Sequence, residues 1–124
     1  MKRFSGLVVV ACLPFLAASA AQAKAPPVAK YDCVISSNIL FGTLGVLAGG
    51  KYTHRGTHGT FTTAAAPTKF KDGKVGYTIR FKGGSLNGIS GRWYRASAGG
   101  GKTTYEIALK NPRDNFESIY CDKT

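Results

Sequence analysis

His54 and His58 are the only histidines of the 124-residue chain, and they flank Arg55-Gly56-Thr57. Two imidazoles across a tight turn are the beginning of a metal site, but a firm zinc centre takes three or four ligands. No carboxylate or thiol lies near them in sequence, and Lys51 and Arg55 would repel a cation. They read as surface histidines of a hairpin, and no metal is expected. Gly99-Gly100-Gly101-Lys102-Thr103 imitates the end of a phosphate-binding loop, which needs Gly-x-x-x-x-Gly-Lys-[Ser/Thr] between a strand and a helix. Ala96 stands where the first glycine belongs, and the residues that follow have the pattern of a strand. Nucleotide binding is therefore not expected.

Acids number only six. Asp72 and Asp114 sit in turn sequences, where aspartate accepts from backbone amides. Asp32, Glu106, Glu117 and Asp122 are interspersed with apolar residues, which on strands sends them to solvent. Glycoside hydrolysis needs two carboxylates facing each other across a cleft, and no spacing here argues for that. A serine nucleophile needs an oriented base, and both histidines belong to one turn. The expectation is a protein without catalytic residues and without a cofactor.

Cations and rings interleave more suggestively. Lys69-Phe70-Lys71, Arg80-Phe81-Lys82 and Arg92-Trp93-Tyr94-Arg95 alternate charge with aromatic. On strands this puts rings inward and cations outward. It also allows one face to carry a basic stripe of Lys74, Arg80, Lys82, Arg92 and Lys102 with Tyr94 beside it. Such a stripe would bind polyanions by neutralising their charge, with affinity falling as salt rises.

The elements that would hold these residues are strands. Val75, Tyr77, Ile79 and Phe81 alternate with Gly76, Thr78, Arg80 and Lys82, the period-two pattern of a half-buried strand. Gly83-Gly84 ends that strand, and Asn87-Gly88 turns the chain before Ile89–Tyr94. Similar segments are Tyr31–Ser36, Ile39–Ala48, Lys51–Arg55, Gly59–Thr63, Lys102–Lys110 and Glu117–Asp122. Gly42 and Gly45 favour a bent or bulged strand over a helix in the second of these. Gly56-Thr57-His58 is the expected hairpin turn, and Ser97–Gly101 an expected loose connection. About eight short strands with glycine turns predict an all-β fold: a small antiparallel up-and-down barrel, with a β-sandwich as the alternative.

The first residues read differently. Met1-Lys2-Arg3, an apolar run over Leu7–Ala21 and the small-x-small close Ala21-Gln22-Ala23 have the pattern of a secretory signal cleaved after Ala23. Val9-Val10-Ala11-Cys12 resembles a lipobox. However, only a short apolar stretch precedes Cys12 and the run continues beyond it, so a lipoprotein is not expected. The domain division is signal 1–23, a proline-containing leader 24–30 and a single all-β domain 31–124.

Two cysteines then remain, Cys33 and Cys121, and in an oxidising compartment they most simply form one disulfide. Closing so long a loop is worth about 4–5 kcal/mol in the chain-entropy model. It would join the first strand to the last, which a closed barrel sets side by side. The whole chain carries seventeen Lys and Arg against six acids, a formal charge of +11, and only Lys2 and Arg3 of these belong to the signal. Such an excess attracts polyanions such as lipopolysaccharide, anionic lipid, acidic glycans or nucleic acid, without implying a specific site.

With Tyr31-Asp32-Cys33 near its start, glycine-punctuated strands and Tyr120-Cys121 near its end, the chain resembles a class of small, mostly uncharacterised exported bacterial all-β proteins. It is also similar in architecture to the periplasmic inhibitors of c-type lysozyme. Their Ser-Gly-x-x-Tyr motif has a formal match in Ser90-Gly91-Arg92-Trp93-Tyr94, and that resemblance would place Ser90 and Tyr94 in an inhibitory loop. Their second motif, a tyrosine followed by Thr-Lys-Gly, has no counterpart here. Lysozyme is itself basic, so a basic inhibitor would meet it with repulsion. The functional expectation is a periplasmic or secreted, non-catalytic protein that binds an anionic envelope component or polyanion through a basic strand face. A protein-type enzyme inhibitor is the alternative.

Overall fold

The computed structural model describes residues 24–36 and 38–124; the expected signal segment with Cys12 lies outside the described residues. The strands are β1 (Ala29–Ile35), β2 (Ile39–Leu47), β3 (Lys51–His54), β4 (Thr57–Thr63), β5 (Thr68–Lys69), β6 (Val75–Lys82), β7 (Ser90–Gly99), β8 (Lys102–Lys110) and β9 (Glu117–Lys123). Each of β1 to β4 and β6 to β9 pairs antiparallel with its neighbours in the chain, β4 pairs with β6, and β1 pairs with β9. The result is a closed eight-stranded up-and-down barrel. The two-residue β5 lies outside the closure, extending past β4 along the same edge of β6.

Closure rests on the β4–β6 and β1–β9 pairings, and the alternation fills what they enclose. Tyr31, Cys33, Leu44, Val46, Tyr52, Phe61, Ile79, Phe81, Ile107, Leu109, Ile119 and Cys121 form one buried cluster, each below a tenth exposed. Eight strands leave an interior just wide enough for such side chains to fill. Cys33 and Cys121 sit opposite each other in the β1–β9 register and are disulfide-bonded, so the covalent link lies on the seam between first and last strands.

The expected irregularity of β2 is present as a bulge. Cys33 faces Gly42 and Val34 faces Leu40, leaving Phe41 without a partner in the ladder. Two connections differ from expectation. The β3–β4 turn is Arg55-Gly56 alone, both at positive φ (50° and 73°), and Thr57 and His58 belong to β4. Two such residues suit the right-handed twist of paired strands better than a three-residue loop. Strand β7 runs to Gly99, with Ala96 opposite Thr104 and Ser97 opposite Thr103, so Ser97–Gly101 shrinks to a turn at Gly100-Gly101. Small polar residues read as loop, but a ladder open to solvent accepts them.

The two ends of the barrel are closed by different means. At one end the leader packs back: the Tyr31 hydroxyl donates to Pro27 O (2.9 Å), and Trp93 Nε1 donates to Lys24 O (3.1 Å). At the other, a 3-10 turn, Gly84–Leu86, drops the fully buried Leu86 into the mouth. Tyr52 holds it, its hydroxyl donating to Gly83 O and accepting from Leu86 N. Among the described residues, no helix is long and apolar enough to cross a membrane.

Candidate functional site

The chemistry-bearing residues gather on the outside of the barrel wall, over β6 to β9. Trp93 points inward, so its neighbours Arg92 and Tyr94 point outward. Register puts Arg92 between Thr78 of β6 and Ala108 of β8, and Tyr94 between Gly76 and Glu106. By strict alternation Glu117 would share the inner face with Ile119 and Cys121. A bulge at Ser118 pairs it instead with Lys110 and turns it outward.

Arg92 is held in two forks. Its Nε and Nη2 donate to Glu117 Oε2 and Oε1, both at 2.7 Å. Its Nη1 and Nη2 donate to Asp72 Oδ1 and Oδ2 at 3.1 and 2.7 Å. The guanidinium also lies 4.9 Å from the ring centres of Phe70 and Tyr94. These contacts fasten the 64–74 connection, which carries Phe70 and Asp72, onto the barrel wall. The Arg92 hydrogen bonds hold the Asp72 carboxyl down at about 2, and the two carboxylates push the guanidinium still higher than usual.

Beside this staple, the Tyr94 hydroxyl donates to Glu106, and Lys74 Nζ lies 5.1 Å from the Tyr94 ring centre. Burial, then the bond to Glu106, pushes the Tyr94 phenol up. Burial also raises the Glu106 carboxyl, helped by the neighbouring carboxyl of Asp122 across the β8–β9 pair. The expectation that Glu106 and Glu117 simply face solvent is therefore corrected. Both are half-buried and bonded, because the folded-back connection covers this wall.

A groove of about 890 Å³ opens alongside. Lys71 from the connection, Arg80 from β6 and Lys110 from β8 line it, together with the hydroxyls of Thr62, Thr78 and Ser90. Among the described residues, Lys71, Arg80 and Lys110 form no ion pair, whereas Lys74 and Arg92 do. Of the stripe read from sequence, Lys74, Arg80, Lys82 and Arg92 share the outer face of β6 and β7 or its cover. Lys102 stands apart at the far end of β8. Arg92 is compensated by two carboxylates, whereas Arg80 and Lys82 form no ion pair among the described residues. Of the unpaired cations, Arg80, Lys71 and Lys110 line the groove, the last two left out of the stripe read from sequence. Only their convergence from three separate segments marks them. Ser90 and Tyr94 lie within strand β7 and not in a loop, and Tyr94 is buried.

His54 corrects another expectation, for it is buried while His58 is exposed. Its Nε2 donates to Phe41 O (2.8 Å), since a carbonyl can only accept, and its Nδ1 lies 2.7 Å from Ser85 Oγ. The ring stacks on Phe41 at 4.9 Å. Burial lowers its basicity. The amides of Ser85 and Leu86 are taken by Thr57 Oγ1 and Tyr52 Oη. The pair therefore braces the 3-10 turn, and those two amides are not free to stabilise an oxyanion. Gly99–Gly101 is a hairpin turn leading into a strand. Among the described residues, no three metal-ligating side chains cluster.

Comparison of the chain with protein-family models, with curated proteins and with solved structures gives no match in any of the three.

Proposed function

We propose that this barrel is an exported, non-catalytic binding protein that takes an anionic envelope glycan or lipopolysaccharide in the groove over β6 and β7. One observation carries the reading: Lys71, Arg80 and Lys110 converge without ion-pair partners on a groove whose two carboxylates, Asp72 and Glu117, are both bonded to Arg92. Arg92 builds the wall but offers no free charge, since its donors are spent on Asp72 and Glu117. Cations give such a site affinity for phosphate, sulfate or carboxylate groups, and the hydroxyls of Thr62, Thr78 and Ser90 suit sugar hydroxyls. The disulfide supports an oxidising compartment.

The test is retention of the protein on immobilised heparin and lipopolysaccharide over a salt gradient, with a plain cation exchanger as the reference for bulk charge. Arg80→Glu with Lys110→Glu is expected to elute at clearly lower salt on both ligands. Lys51→Glu with Lys123→Glu, an equal charge change at exposed positions outside the groove, should shift elution only as far as on the exchanger. Removing two phosphate-type contacts should lower the slope of log affinity against log salt by about 2. Equal shifts for both pairs would reduce the charge to a property of the whole surface.

A further inference from the structure

We propose that the end of the barrel carrying Ile39, Leu40 and Phe116 docks the protein on an anionic lipid surface. Single exposed apolar residues need no explanation. These three are 58 %, 82 % and 72 % exposed and belong to one rim. Ile35 pairs with Ile39 on one side and Ile119 on the other, and Ser36 N donates to Ser118 O (2.8 Å). The start of β2 and the start of β9 are therefore two strand spacings apart, about 10 Å. Phe116 lies just before β9.

Phe116 is also held in place. Asn111 N donates to Phe116 O (2.8 Å), Phe116 N donates to Asp114 Oδ1 (3.0 Å), and Asn115 N donates to Asn111 O (2.8 Å). Arg113 N donates to Asn111 Oδ1 (3.0 Å). An ordered turn that keeps a phenyl ring in water is built to bring the ring to something.

Charge at this end selects the surface. Its four connections and the strand ends beside them hold Arg55, Lys82, Lys110 and Arg113 as exposed cations. The acids there are Asp114 and Glu117, and Glu117 is paired with Arg92. Apolar tips within a ring of cations suit the boundary between anionic headgroups and acyl chains. Ile39, Leu40, Phe116 and Arg113 do not line the groove; Lys110 is common to both readings, and variants at Leu40, Phe116 and Arg113 therefore test the docking separately.

The experiment is co-sedimentation of the protein with vesicles of phosphatidylcholine alone and of phosphatidylcholine with phosphatidylglycerol. Native protein should pellet with the second and not the first. Leu40→Ser with Phe116→Ser should weaken that binding at least about tenfold, with an unchanged thermal midpoint and unchanged retention on heparin. Arg113→Glu should weaken it as well and gives a second readout at another exposed site. Undiminished pelleting of the double variant would overturn the proposal. So would equal pelleting with phosphatidylcholine alone, or a solution dimer that the double variant dissolves.

Discussion

Arg92 shows how one side chain changes role between sequence and fold. Flanked by Trp93 and Tyr94, it has the makings of a ligand-binding cation; folded, it is the rivet between a barrel strand, the start of β9 and the 64–74 connection. The Asp72 arm is open to water and adds little. The Glu117 fork and the ring stacking, on the covered side, carry more of the weight. Arg92→Lys keeps the charge but not the planar fork, and is expected to cost about 1–2 kcal/mol. Arg92→Ala, which leaves Glu117 half-buried and unpaired, should cost about 2–3 kcal/mol. Urea unfolding at constant m-value checks both, and a loss within about 0.5 kcal/mol for the alanine variant would mean an ordinary surface pair. His54 makes the same point: its type was plain in the sequence, but its burial depends on Phe41 and Ser85, one from a bulge and one from the 3-10 turn.

Among the elements, β6 and β7 form the wall on which the groove is built, and β8 fixes β7 from its other side. Gly91 faces Ile79 and Leu109, and a Cβ added there would meet the Ala108 carbonyl oxygen well inside van der Waals contact. That is a close approach of backbones, where only glycine fits. Gly91→Ala should therefore cost about 1–3 kcal/mol and lower the thermal midpoint. An unchanged midpoint would mean that the strands can part without loss. The strands themselves were legible because the inward and outward residues differ in hydropathy. Where both sides meet water, as over Ser97–Gly99, that contrast vanishes and so did the signal. Bulges were legible only where glycine marked them: the one at Phe41, beside Gly42, was, and the one at Ser118, which turns Glu117 outward, was not.

For the whole molecule, the seam between β1 and β9 joins the first strand to the last, and Cys33–Cys121 lies in the middle of it. A barrel whose last pairing is its longest-range one depends heavily on such a bond. Cys33→Ser with Cys121→Ser should lose about 2–5 kcal/mol, measured by urea unfolding against the native protein under non-reducing conditions. Early hydrogen exchange along β1 and β9 should accompany it. Equal stability with and without the bond would mean that the aromatic core alone holds the seam. The charge excess is likewise a property of the whole chain, but its meaning is local. Paired at Arg92 and Lys74, it is structural; unpaired and gathered in one groove at Lys71, Arg80 and Lys110, it is available to a ligand.

Composition and alternation alone determined that this chain forms about eight short antiparallel strands, and the place of its last two cysteines pointed to one bond. Those are consequences of local periodicity and of where two thiols stand. That the strands close into a barrel and not a sandwich was settled by the β4–β6 and β1–β9 pairings. The tertiary structure decided which cations are free, which acids are buried and which histidine is a brace. These depend on a connection folding back over the wall and on a one-residue bulge. Neither leaves a periodic trace, because each is settled by contacts between residues far apart in the chain.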